Sequence, residues 1–334
     1  MTDAPFPAGM AQTPEWLPFE LDQAADTISL LRMGEADYRA ASFLDQRMLG
    51  PDSELRPASW SALKQAMAAG ARRDADFIFH IGNVGSTLIS RLLGELPSVF
   101  ALREPMLLRT FADDTGWETL AALLSRTFRP EQRANVKATS FTSESADRLV
   151  QPGSKALFLF ATPQHYLENI LAGQNSWQTL QALSPIRLER LQSRCPGLAL
   201  DLDRASDSIK AALGWACEMT SLEQAGSRLP PETVLWMDFD RFLTDPASDF
   251  STIAGHFGHA VEPATARAIC EGPLMGRYSK ALEYEYSPEM RSQILAEARR
   301  MHGPAIRDAL NWLATLESRY PALAQAIRRA RGGG

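Results

Sequence analysis

Residues 76–94 constrain this chain most. Asp76-Phe-Ile-Phe-His-Ile-Gly82 is a short, mostly apolar run ending in glycine, and Val84–Gly94 follows at once with Leu88, Ile89, Leu92 and Leu93 marking one helix face. A buried strand running straight into a helix recurs downstream. Residues 134–139 read as a strand ahead of Ser143-Glu-Ser145, and residues 155–161 carry the strongest strand pattern, with Pro163 suited to the first turn of a helix over 164–171. Residues 233–237 read as the last strand, ending at Asp238, and Pro246 opens another helix. Amphipathic helices are predicted over 177–194, 206–225, 264–270, 288–302 and 304–329. Apolar strands alternating with helices predict an α/β fold, a parallel sheet covered by helices on both faces. Ahead of it, prolines punctuate short helical patterns at 22–32 and 35–48 with no clear strand. The expected organisation is an N-terminal helical extension over 1–74, an α/β core over 75–288 and a C-terminal helical segment over 289–334 packed on the core.

Thirty-four lysines and arginines face forty aspartates and glutamates, a formal net charge of −6. Such a chain offers no broad cationic face to a nucleic-acid backbone or an anionic membrane, so any anion it binds must sit in a local pocket. The longest apolar runs, such as 156–161, fall far short of the ~20 residues a membrane helix needs. Residues 1–9 lack a basic end followed by an apolar stretch. A soluble cytoplasmic protein is expected, with neither nucleic acid nor membrane among its partners. Three widely spaced cysteines, Cys195, Cys217 and Cys270, supply neither a disulfide framework nor a CxxC metal site, and no metal is expected.

In open α/β sheets ligands gather at the carboxyl ends of the strands, where a helix start offers free N–H groups and a positive dipole end. Gly82-Asn83-Val84-Gly85-Ser86-Thr87 sits at that place. Gly82 and Gly85 permit positive φ and close approach of an anion, and Ser86 and Thr87 add hydroxyl donors. Phosphate or sulfate binding is the physical reading; a tight strand-to-helix turn with a serine cap is the alternative. The loop is not the G-x-x-x-x-G-K-S/T of nucleotide-hydrolysing enzymes, because Ser86 follows Gly85 and the lysine is absent.

On these residues the chain resembles the sulfotransferase superfamily, whose 5′-phosphosulfate loop reads P-R/K-S-G-S/T-T after the first strand. The glycine and both hydroxyls are kept; the proline, the basic residue and the first serine are not. Ala101-Leu-Arg-Glu-Pro105 is similar to the family's R-E-P segment, and Val136-Lys137 to its lysine-bearing strand. Residues 155–169 are similar to its 3′-phosphate segment, a strand, then R-D-P, then a serine six residues beyond that proline. Residues 234–246 resemble the late strand with its Y-E-D-L and D-P, and His256-Phe-Gly258 the F-L-G that follows. Met275-Gly-Arg-Tyr-Ser-Lys280 resembles a segment of a bacterial sulfotransferase-like subgroup of unassigned activity. The resemblance spans about residues 75–290. It implies a three-layer, P-loop NTPase-like parallel sheet and transfer of a sulfuryl group from 3′-phosphoadenosine 5′-phosphosulfate (PAPS) to a hydroxyl or amine of a small molecule or glycan.

The resemblance also implies site residues. Gly82, Asn83, Val84, Gly85, Ser86 and Thr87 would cradle the 5′ end of the donor. Ala161-Thr162-Pro163 stands in place of R-D-P, which removes the arginine that would hold the 3′-phosphate; Asn169 stands in place of the serine, and Arg277 and Lys280 are the compensating cations. Asn83 replaces the loop cation, leaving Lys137 and Arg103 to stabilise charge on the transferring group. Glu104, beside Pro105, is expected to carry a raised pKa and act as the base. His80, on the strand face it shares with Gly82, is the other candidate base, or else a satisfied core histidine.

Two other readings stay open. One is a catalytically degenerate nucleotide-binding or regulatory module on the same fold; the other is a Mg²⁺-dependent phosphotransferase in which Asp238 holds the metal. Residues 105–130 and 172–205, expected around the acceptor, carry no readable code. Arg299, Arg300, Arg307, Arg328, Arg329 and Arg331 make a locally basic C-terminal region, read as a solvated helix face or a homo-oligomer contact.

Overall fold

The structure, a computed structural model, describes residue 7, residues 9–67 and residues 70–332, with the side chains of 174–178 left aside. Its centre is a five-stranded sheet of β4 (Asp76–His80), β5 (Val99–Arg103), β6 (Arg133–Lys137), β7 (Ala156–Phe160) and β8 (Val234–Asp238), in the order β5-β6-β4-β7-β8. Every neighbouring pair is parallel. All residues of β4, β5 and β7 are buried, as a sheet covered on both faces requires. The sheet is the α/β arrangement that the strand-into-helix pattern predicts. Because β4 is central, the chain leaves it for β5 at one edge and later returns through β6 to cross to β7 on the other side. That makes the carboxyl end of β4 a topological switch point, the place where open α/β sheets bind ligands. The loop 81–85 lies there.

Strand β5 is absent from the sequence reading. Its five residues sit between Ser98 and Glu104, too short a run to separate from the helix before it. The long helix Pro288–Glu317 also departs from expectation, running through Pro304 rather than breaking there. An internal proline costs a helix about 3 kcal/mol. Here Ile306, Ala309 and Leu313 are buried beyond it, and Arg291 and Arg299 tie the earlier turns to Asp240 and Glu168. Packing on both sides of the proline outweighs the local preference.

The N-terminal region is corrected more substantially. Where helices are predicted, β1 (Trp16–Asp22), β2 (Thr27–Arg32) and β3 (Leu55–Ser59) form an antiparallel sheet in the order β1-β2-β3. In β2, Ile28, Leu30 and Leu31 are buried while Thr27 and Ser29 are less so, a nearly alternating pattern. The hairpin turns at Asp26, whose φ of 48° is left-handed and whose carboxylate accepts from Ser59, Ser61 and the Ser61 amide. The helix predicted over 35–48 stops at Ala40. Arg103 ends it: its Nε donates to Ala41 O at 2.6 Å and its Nη2 to the Tyr38 and Arg39 carbonyls. Beyond that cap, Leu44 exchanges backbone bonds with Arg103 and Met106, laying residues 41–48 over the carboxyl end of β5. Among the described residues no helix is long and apolar enough to cross a membrane.

Candidate active site

The loop leaving β4 is held in a conformation that few residues adopt. Gly82, Asn83 and Gly85 have φ of 86°, 54° and 66°, and Gly85 begins the helix Ser86–Leu93. Gly85 has a second constraint: a Cβ there would lie 2.0 Å from the ring of Phe239, which closes over the loop from the carboxyl end of β8. His80 fixes the other side. Its Nδ1 accepts from the Gly82 amide at 3.0 Å, and its Nε2 lies 2.9 Å from Ala138 O, which makes it the Nε2–H tautomer. Burial, with the Lys137 cation nearby, pushes its pKa down to about 3. Both ring nitrogens are therefore committed to backbone, and His80 positions the loop rather than serving as a base.

No side chain caps the helix Ser86–Leu93, so its first-turn N–H groups keep the free donors of a helix start. Thr87 is 1% exposed, and its Oγ1 has no hydrogen-bond partner among the described residues. A buried hydroxyl left unpaired costs about 1–3 kcal/mol. Its position in the first turn makes it a donor awaiting an acceptor. Asn83, at the apex, is gripped from two sides: its carbonyl accepts from Asn169 Nδ2 at 2.7 Å, and its Oδ1 lies 3.5 Å from Lys280 Nζ. Asn169 and Lys280, which are 86 and 197 residues from Asn83, thus meet at the loop. Arg277 does not join them; it is exposed and forms a backbone bridge with Glu285.

Lys137 ends β6 and is 1% exposed, its Nζ bonded to Glu104 Oε1. Glu104 sits just past β5 with φ of 51°, and its Oε2 accepts from Arg109 Nη2 at 2.7 Å. The raised pKa expected for Glu104 is reversed. Burial alone would lift this carboxyl, but Lys137 and Arg109 hold it well below the ordinary carboxylate range. Lys137 is itself pushed down to about 8, because burial disfavours its charge more than Glu104 restores it. Lys280 is lowered by burial as well. Arg103, predicted as a charge-stabilising group, is buried with its Nε and Nη2 on three backbone carbonyls, and it anchors the N-terminal segment instead. Asp238, the carboxylate of the metal-holding alternative, accepts from Asp240 N at 2.8 Å and caps the turn Phe239–Phe242.

Several neighbours escaped the sequence reading. Arg91, on the loop's own helix, is 7% exposed and donates to Ser279 O and Ser42 Oγ, tying residues 42 and 279 to the loop. Phe43, Asp45 and Arg47 come from the N-terminal segment, and Arg109 from the short helix Leu107–Thr110. Nothing in their spacing marked them, since all reach the site through tertiary contacts. Together these side chains give the region an uneven charge. Among the described residues no carboxylate lies within ion-pair distance of Arg91, Arg103 or Lys280, and Lys137 has only Glu104. Arg91 stands in the helix's last turn and Arg103 is committed to backbone, but Lys137 and Lys280, beside the loop, join the free amides of the helix start in an electrostatic site for an anion.

No family model matches the chain. No curated protein matches it either. Among solved structures it is similar to the sulfotransferase domain from the curacin biosynthetic pathway, with 15% identity and a TM-score of 0.43 over 65% of this chain and 85% of that one. It is also similar to a sulfotransferase from Alicyclobacillus acidocaldarius, at 14% identity and a TM-score of 0.40 over 71% of this chain and 96% of the other. A mouse sulfotransferase complexed with PAP matches at 13% identity and a TM-score of 0.35, covering 74% and 92%.

Proposed function

We propose that this protein transfers a sulfuryl group from PAPS to a hydroxyl or amine of a small molecule or glycan. One observation carries the reading: the helix Ser86–Leu93 begins with a buried, unpartnered Thr87 hydroxyl amid cations that outnumber the carboxylates near them. The donor supplies the sulfuryl group, and the chain supplies its cradle. Gly82, Val84 and Gly85 shape the loop, with Asn83 fixed by Asn169. Ser86, Thr87 and the first-turn amides donate to the 5′ anion, and Lys280 and Lys137 balance its charge.

Glu104 holds the Lys137 ammonium in place while the site is empty. A bound anion competes for that ammonium. As Lys137 turns toward the anion, Glu104 loses its closest counter-ion and burial lifts its carboxyl, so that it can take the proton of an incoming hydroxyl. Titration calorimetry with 3′-phosphoadenosine 5′-phosphate, with ATP plus Mg²⁺ run beside it, tests the donor assignment. Micromolar binding of the bisphosphate is expected; binding of ATP–Mg²⁺ alone would move the assignment to phosphoryl transfer.

A further inference from the structure

Beside the Lys137–Glu104 pair lies a second cationic face that the donor site does not use. Asp45 is 5% exposed and takes Arg47 in a two-point grip, Nε at 2.8 Å and Nη2 at 2.5 Å. The Arg47 guanidinium lies 3.6 Å from the centroid of the Phe43 ring, and Lys137 Nζ is 5.7 Å from that same centroid. Arg109 completes the group through Nη2 alone, which meets Glu104 Oε2 at 2.7 Å and Asp45 Oδ2 at 3.6 Å. Its Nε and Nη1 have no acceptor among the described residues, and 40% of its side chain is exposed.

Three cations, Arg47, Arg109 and Lys137, thus share two carboxylates, Asp45 and Glu104. With Arg47 held by Asp45 and Lys137 by Glu104, the group's free donors are Nε and Nη1 of Arg109, and they stay free when Lys137 turns to the donor. Its two carboxylates hold the planar guanidinium through Nη2, so Nε and Nη1 are each left as an oriented, charged single-point donor to a carboxylate or similar oxyanion. Phe43 supplies an apolar wall beside it. Phe43, Asp45 and Arg47 come from the segment that Arg103 and Arg91 pin over β5, and Arg109 from the helix Leu107–Thr110, so the face is built into the fold.

We propose that Arg109 and Arg47 form an acceptor subsite, and that the acceptor carries a carboxylate or another single negative charge besides the hydroxyl or amine that is modified. This rests on the transfer reading for the word acceptor; the anion subsite itself does not depend on it. Glu104 joins the two halves, since one oxygen meets Lys137 and the other meets Arg109. A ligand anchored on Arg109 therefore arrives next to the carboxylate that takes the proton.

The test compares two phenols of the same shape, 4-hydroxybenzoate and 4-hydroxybenzamide, by calorimetry on the full chain, with and without 3′-phosphoadenosine 5′-phosphate. A charged hydrogen bond predicts that the benzoate binds about tenfold or more tightly than the benzamide. Arg109→Gln and Arg47→Gln should each remove most of that preference, while Arg47→Gln leaves bisphosphate affinity unchanged. Equal binding of the two phenols, binding of neither, or a preference that survives in both variants overturns the subsite. Failure of the bisphosphate to bind, with the benzoate preference intact, overturns the transfer reading and leaves the subsite standing.

Discussion

Replacing Gly85 by alanine strikes two requirements at once. At φ of 66° a Cβ meets its own backbone, which costs an L residue about 1–2 kcal/mol. The same Cβ would lie 2.0 Å from the Phe239 ring, far inside contact distance. That ring cannot simply swing away: Phe239 is 5% exposed, stacks on Phe242 at 6.1 Å and has the Arg291 guanidinium 5.4 Å from its centre. Overpacking of this kind adds about 1–3 kcal/mol, so Gly85→Ala should lose roughly 2–5 kcal/mol in urea denaturation. The two costs separate in a double-mutant cycle. In a Phe239→Ala background the clash is gone, and adding Gly85→Ala should cost only the backbone share of about 1–2 kcal/mol. A Gly85→Ala protein within about 0.5 kcal/mol of the parent, or the same cost in both backgrounds, would refute the loop geometry.

Thr87→Val should leave stability unchanged or slightly raised, because it removes an unpaired buried hydroxyl, yet weaken 3′-phosphoadenosine 5′-phosphate binding about tenfold, read by denaturation and calorimetry on one preparation. Lys137→Met leaves the buried Glu104 without its main counter-ion; turnover should fall about 10²–10³-fold and stability by about 3–5 kcal/mol, with an unchanged turnover arguing against a catalytic role. His80 sets a pH dependence. Its folded pKa of about 3 is depressed below the unfolded value near 6.5, so the unfolded chain takes up the proton first and stability falls as pH drops through that window. Between pH 6.5 and 5 the loss from this group should be about 2 kcal/mol, visible as a pH slope in urea midpoints that His80→Gln removes.

The parts of the fold legible in the sequence are those set by local pattern. β4, its glycine loop, β7 and β8 announce themselves as apolar runs bounded by turn residues, β6 follows from its place in the strand-into-helix repeat, and Pro163 opens its helix. The N-terminal sheet does not, because each of its strands is short and draws its identity from partners across the hairpin. The site divides in the same way. Gly85, Ser86 and Thr87 could be placed from spacing, whereas the charge state of Glu104 depends on Lys137, 33 residues away on a neighbouring strand. The resemblance of Ala101–Pro105 to the R-E-P segment gives Arg103 a charge-stabilising role in the sequence. Only the path of residues 38–41 shows that its Nε and Nη2 are already committed to backbone carbonyls.

The central claim is that the loop and Lys137 act on a phosphosulfate donor, and the most direct measurement is the release of 3′-phosphoadenosine 5′-phosphate from PAPS, followed by chromatography, with 4-hydroxybenzoate as acceptor. The account predicts release that depends on the phenol, yields its sulfate ester in equal amount and disappears in Lys137→Met. Release with no sulfate ester formed, or equal release by Lys137→Met, would contradict it.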